Sequence, residues 1–163
     1  MLRIDTIKKQ MHPELFKKWE LFDKKMKEVG LAYAITSVAR TVLDQMALFV
    51  QGRLPIDIVN LFRYEAGMKK LPENENKKVT WTLKSKHITN FFDKDLSNDF
   101  SQAWDIALLK DNKVYYDIKV SVNSNVEADY DEAGRIGKEI GLIWGGDFKS
   151  PDKVHFELKE EIL

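Results

Sequence analysis

Ala103-Trp104-Asp105-Ile106-Ala107-Leu108-Leu109, then Asp111-Asn112, then Val114-Tyr115-Tyr116-Asp117-Ile118-Lys119-Val120 is the stretch on which the fold turns. Two short runs rich in apolar and aromatic residues flank a turn dipeptide, which predicts an antiparallel hairpin. Further strands are predicted at Leu31–Ser37, Val79–Leu83 and Val154–Leu158. Upstream the period changes. His12-Pro13-Glu14 starts a helix, because proline suits the first turn and the acid suits the positive end of the dipole. Leu15, Phe16, Trp19, Phe22, Met26 and Val29 follow at helical spacing, and Gly30 stops the run. Helices are also predicted over Val42–Gln51, Ile56–Tyr64 and Glu127–Ile140, the first closed by Gly52 and the last by Gly141. Helices dominate the first part and strands the second, so the expected class is α+β, a small antiparallel sheet packed with helices.

The chain has 163 residues, of which 44% are hydrophobic and 32% charged, as in an ordinary globular domain. We expect a single domain over 1–163, with an N-terminal helical segment at 1–30 and a polar loop at 67–78. The 26 basic residues balance 26 acidic ones, so the global basic field of a general nucleic-acid binder is missing. The Lys69-Lys70 and Lys77-Lys78 pairs are interleaved with glutamates, and no nucleic-acid partner is expected. With no cysteine, disulfides, thiolate metal sites and cysteine nucleophiles are excluded. Apolar runs such as Leu31–Ile35 and Met46–Val50 fall far short of the roughly 18–20 residues of a membrane span. The N-terminus lacks the apolar core of a secretory signal. The expected protein is cytoplasmic when made, without a membrane anchor, and a monomer.

The chain has three histidines, His12, His87 and His155. His12 reads as a helix-start capping residue. The other two stand in Ser85-Lys86-His87 and Asp152-Lys153-Val154-His155-Phe156-Glu157-Leu158, and between them Asp105 interrupts an apolar strand. An aspartate there is expensive to bury unless it is paired or bound to a metal. Two imidazoles and a carboxylate are the ligand set of an open zinc site. The ordinary alternative is two surface histidines and a capped strand aspartate, and scattered spacing alone does not choose between them.

The motifs around these residues do more. Ser85-Lys86-His87, Ala103-Trp104-Asp105 and the run Gly141-Leu142-Ile143-Trp144-Gly145-Gly146-Asp147-Phe148-Lys149-Ser150, continuing through Pro151 to Leu158, resemble the D-alanyl-D-alanine metallopeptidase family. The branch they resemble is that of the L-alanyl-D-glutamate endopeptidases of bacteriophage endolysins. Ile35-Thr36-Ser37-Val38-Ala39-Arg40-Thr41 and Leu48-Phe49-Val50-Gln51-Gly52-Arg53 resemble the family's upstream segments, with Val38-Ala39 in place of a Gly-Tyr pair.

The resemblance implies a hedgehog/DD-peptidase-like fold in which His87, Asp105 and His155 hold Zn2+. It makes Asp152 the general base toward the attacking water, and Arg40 the cation that stabilises the oxyanion. It implies a zinc-dependent peptidoglycan endopeptidase that hydrolyses the L-alanyl-D-glutamate bond of the stem peptide. Such a protein would be a bacteriolytic, phage-type endolysin acting on the cell wall after release. A D-alanyl-D-alanine carboxypeptidase or dipeptidase is the alternative, followed by a non-catalytic wall-binding module of the same fold. Trp144 would pack beneath the site, Gly145-Gly146 would let backbone approach a substrate, and Asp147 would cap the turn or orient a ligand imidazole.

One departure is large. Asp105 follows His87 by 18 positions (105 − 87), against seven in the family pattern, which places an inserted loop at 90–101. Within it Asp93, Asp95, Ser97 and Asp99 alternate oxygen ligands like the first half of a calcium loop, but the central glycine is missing and position twelve is Trp104, so a solvated acidic loop is the expectation and bound Ca2+ the alternative. Phe91, Phe92 and Phe100 beside them are expected to form a lid or contact glycan.

Overall fold

The computed structural model describes residues 3–89, 100–111, 113–114 and 126–159. In chain order the elements are α1 (Ile4–Gln10), α2 (Pro13–Glu28), β1 (Tyr33–Ser37), α3 (Val42–Val50), α4 (Ile56–Glu65), β2 (Ala103–Lys110), β3 (Lys113–Val114), α5 (Val126–Glu139), β4 (Leu142–Trp144) and β5 (His155–Leu158). The sheet is antiparallel in the order β1-β2-β5-β4, with β3 paired to β2. This is the expected α+β class.

The α2 helix forms as its sequence dictates. His12 caps it, its Nδ1 accepting from the Glu14 N–H at 3.3 Å, and Pro13 fills the first turn. Leu15, Trp19, Phe22 and Met26 are buried along one stripe. Phe22 lies 5.0 Å from the Phe156 ring and 5.8 Å from that of Trp104 (centroid distances), tying α2 to the two central strands. Val29, expected in that stripe, is exposed and serves as the C-cap. Thr41 and Asp44 form a reciprocal capping box that starts α3.

On α5, Gly134 and Gly137 face the sheet. A Cβ at Gly137 would lie 2.6 Å from two Phe156 ring carbons, so the missing side chain is what lets this helix settle against the aromatic core.

The hairpin is present: Leu109 pairs with Val114 and Lys110 with Lys113, and Asp111 turns with φ 50°. The remainder of its second predicted strand, at 115–120, lies outside the described residues.

Four readings change. The α1 helix is an addition, missed because a single buried residue, Ile7, gives too little periodicity to detect. The α4 helix ends at Glu65, one residue beyond the segment read from sequence. Strand β4 (Leu142–Trp144) is not among the strands predicted from sequence and ends at the tryptophan of the Trp-Gly-Gly-Asp motif. Finally, Val79–Leu83 is not a strand. Its backbone is held by side chains instead of a ladder partner: Gln45 donates to the Thr82 carbonyl (2.7 Å) and Arg53 to the Thr80 carbonyl (3.0 Å).

The N-terminal segment buttresses the sheet. The Ser101 N–H donates to the Gln10 carbonyl (2.8 Å), and the His12 N–H donates to the Ser101 carbonyl (2.9 Å). That clamps the chain two residues before β2, at the end of the inserted loop. No helix among the described residues is long and apolar enough to cross a membrane.

Candidate metal centre

Strand register creates the core of the site. Asp105 on β2 stands opposite His155 on β5 and opposite Ser37 on β1, and residues directly opposite on neighbouring strands bring their side chains together. A register shift between Ile35 and Ser37 bends β1 at this point, as bulges near functional sites do when they re-aim side chains. His87 arrives from a loop held to the same region, where the Arg40 N–H donates to the His87 carbonyl at 2.8 Å.

His87, Asp105 and His155 are all buried, and their ligand atoms cluster. His87 Nε2 and His155 Nδ1 each lie 3.0 Å from Asp105 Oδ1 and 3.2 Å from one another. The outer nitrogens set the tautomers. His87 Nδ1 donates to the Val38 carbonyl at 2.5 Å, and His155 Nε2 donates to Glu157 Oε2 at 2.9 Å. Both rings therefore turn a lone pair toward Asp105, and three acceptors meet at one point. Such an arrangement is repulsive until a cation or a proton enters it. Bonds of about 2.0–2.1 Å around a tetrahedral zinc would separate its ligands by about 3.3 Å, so the three donors fit that ion within a few tenths of an ångström.

The electrostatics agree. Burial alone would raise Asp105, but once a proton enters between it and the His155 and His87 rings, their hydrogen bonds, with the charges of His87 and Arg40, hold its carboxyl well below the usual range. Burial works against protonation of His155, yet Asp105 and Glu157 outweigh it and lift the imidazole to about 9. Without a metal, a proton takes the cation's place.

Arg40 does not stand apart as a lone oxyanion cation. Its Nη2 donates to Asp105 Oδ2 at 2.6 Å, Nε to Ser37 Oγ at 3.1 Å, and Nη1 to Gln45 Oε1 at 3.4 Å. One oxygen of Asp105 is thus kept on arginine, and the other is left for the two imidazoles.

Asp152 lines the same cleft, which has a volume of about 990 Å3. Its carboxyl is pushed up from the ordinary carboxylate value, first by desolvation and next by the Asp105 charge. The turn carrying it is tightly built. Its N–H donates to the Gly145 carbonyl at 2.8 Å, and its carbonyl accepts from the His155 N–H at 3.1 Å. Trp144 is buried, as expected, and its Nε1 donates to the Lys153 carbonyl at 2.9 Å.

The role expected for the glycine pair changes. A Cβ on Gly145 would strike the Asp152 carbonyl and lie 2.9 Å from His155 Cβ, and one on Gly146 would strike the Trp144 ring. The close approach they permit is that of the chain to itself. Asp147 is likewise reassigned: it pairs with Lys138 at 3.0 Å on the surface, whereas Glu157 orients the imidazole. Spacing could have found Glu157, since residues i and i+2 of a strand share a face. Phe100 stands edge-on to His12 at 6.4 Å and does not line the cleft. The calcium-loop residues Asp93, Asp95, Ser97 and Asp99, together with Phe91 and Phe92, lie outside the described residues.

With this geometry in view, comparison with known proteins is informative. Residues 93–158 match the family model described as D-alanyl-D-alanine carboxypeptidase. That span contains Asp105, Asp152, His155 and Glu157, while His87 and Arg40 lie upstream and are joined to them by the fold. No curated protein matches the sequence. Among solved structures, the Serratia marcescens L-Ala D-Glu endopeptidase ChiX is similar in fold, with a TM-score of 0.51 and 18% identity over 96% of this chain and 86% of that one. The resemblance to the D-alanyl-D-alanine metallopeptidase family, and to the fold of its endopeptidase branch, stands. Both comparisons are with peptidases.

Proposed function

We propose that the protein is a zinc-dependent peptidoglycan peptidase that hydrolyses the L-alanyl-D-glutamate bond of the stem peptide, and that it works as a phage-type, bacteriolytic endolysin on the cell wall. The observation that carries this reading is the meeting of His87 Nε2, Asp105 Oδ1 and His155 Nδ1 within 3.0–3.2 Å of one another, from three separate stretches of chain. On this reading those three residues hold Zn2+, and the domain spans 1–163 and works as a monomer. A bound zinc supplies Lewis-acid polarisation of the scissile carbonyl and a water acidified toward neutrality.

The protein's own groups do the rest. Asp152 faces the cleft with a raised proton affinity, which suits a carboxylate that takes a proton from the attacking water and passes it to the departing amine. Arg40 fixes Asp105 and places its positive charge beside the developing oxyanion. Phe148, its ring 5.8 Å from that of His155, stands beside the centre as an apolar wall of the cleft.

Asp152→Asn in zinc-loaded protein, assayed on purified muropeptides with metal content measured, tests the reading. Hydrolysis should fall by about 10²–10⁴-fold with zinc retained. Unchanged hydrolysis removes Asp152 as base, and absence of hydrolysis by the unaltered protein leaves the non-catalytic module. The description of the matching family favours one second reading, a D-alanyl-D-alanine carboxypeptidase. Release of free D-alanine without an exposed L-alanine C-terminus selects it.

A further inference from the structure

The cleft has a second wall that the proposed chemistry does not use. It is the segment from Lys78 to Lys84, which runs from the α3–α4 turn down to the metal centre. Although it carries no regular structure, it is firmly pinned. Gly52, at φ +69°, lets the backbone of Lys77 and Lys78 pack where a Cβ would stand. Asn76 accepts from the Gly52 N–H at 2.7 Å and donates to the Leu54 carbonyl at 3.1 Å. Buried Gln45 reaches both Thr80 Oγ1 (3.2 Å) and the Thr82 carbonyl (2.7 Å), and Arg53 holds the Thr80 carbonyl.

Pinned on this side, the segment presents Trp81 outward. That indole is 68% exposed, with Val79 and Leu83 of the same segment also exposed, and a contiguous exposed apolar strip marks a binding surface. The Lys78 ammonium stands 5.6 Å from its ring, a distance at which the ring quadrupole attracts a cation. Neither Lys78 nor Lys84 nor Lys149, all lining the cleft, is paired with an acid among the described residues. The cleft's acids, Asp105, Asp152 and Glu157, are confined to the metal centre. Away from that centre the wall is therefore cationic and aromatic, and it complements an anionic ligand with some apolar surface.

We propose that Trp81 and Lys78 form a binding subsite for a carboxylate-bearing part of the peptide substrate, Lys78 pairing with the carboxylate and Trp81 covering the adjoining methylenes. The inference rests on the peptidase reading and adds to it a substrate class, a peptide with a free carboxylate beyond the scissile bond. In a tripeptide stem that group is the free C-terminal carboxylate, two residues beyond the cut, because the D-glutamate α-carboxylate sits on the carbon that bears the scissile nitrogen and stays at the metal centre.

The test uses the full chain as Asp152→Asn in zinc-containing buffer, titrated calorimetrically with L-alanyl-γ-D-glutamyl-L-lysine and with the same peptide carrying a C-terminal carboxamide. The acid should bind about tenfold more tightly, the ratio expected of one charge-assisted contact. Adding Lys78→Gln should bring the two affinities together, and Trp81→Ala should weaken both. Equal binding of the two peptides overturns the proposal. So does a preference that survives Lys78→Gln or disappears in Lys84→Gln or Lys149→Gln instead. Failure of the unaltered protein to cut either peptide counts against the peptidase reading alone, because the binding ratio is measured independently of cleavage.

Discussion

Glu157→Gln isolates the role of a residue that holds a metal-centre imidazole from its outer side. Glu157 Oε2 accepts from His155 Nε2 at 2.9 Å, and its other oxygen lies 3.6 Å from Lys86 Nζ, which itself donates to the Leu158 carbonyl at 2.7 Å. The carboxylate is held from both sides, so glutamine keeps the shape and loses only the charge. A charged partner makes the ligand imidazole a stronger donor to a cation, and removing such partners typically costs 10–100-fold in metal affinity, or about 1.4–2.7 kcal/mol. Zinc affinity should fall by that amount when measured against a competing chromophoric chelator, with the protein still folded by circular dichroism. Asp147→Asn is the matched control: it is also an acid near the motif, but its partner is Lys138, and its affinity should stay within twofold of the unaltered protein. If Glu157→Gln leaves affinity unchanged, or Asp147→Asn lowers it equally, the assignment of the imidazole's partner is wrong.

Three further outcomes follow from the same geometry. Gly145→Ala should cut turnover about 100-fold, since its Cβ displaces the Asp152 carbonyl and a misplacement of about 1 Å costs that much; near-normal turnover would mean the turn relaxes freely. Phe22→Ala removes a fully buried ring from the Trp104–Phe156 cluster and should destabilise by about 3–5 kcal/mol, lowering Tm by about 6–20 °C at this chain length; a shift under 3 °C would place that ring outside the core. The metal-free protein should show a pH optimum of stability. The contribution of Asp105, lowered on folding, is present above about 3.8 and lost as pH falls, whereas that of His155, raised on folding, is complete below about 6.5 and lost as pH rises through about 9. Melting with chelator present should peak between these limits and decline toward pH 9, and a flat profile from 6 to 9 would refute the shared-proton account.

The sequence revealed most where a residue's own chemistry was decisive. The α2 stripe, the cap at His12 and the strand around Asp105 follow from local periodicity and capping. His87, Asp105 and His155 were legible only because motif context joined residues that spacing leaves scattered. What stayed hidden depends on tertiary partners. Val79–Leu83 has a strand's composition but no strand beside it to pair with. The glycines at 145 and 146 looked like a platform for ligand, yet only the fold reveals that Asp152 and Trp144 fill that space. Arg40 was read through a single role, and nothing local announces that its guanidinium grips Asp105, Ser37 and Gln45 together.

The opposition of Asp105 and His155 across β2 and β5 has a practical corollary. A slip of one position in that pairing would turn the two side chains to opposite faces, so correct folding and correct assembly of the centre are a single event. Two of the three donors are therefore preset by hydrogen-bonded backbone before any ion arrives. A preparation stripped by chelation should regain its function on simple readdition of metal, at the speed of diffusion and capture, with no denaturation and renaturation cycle between.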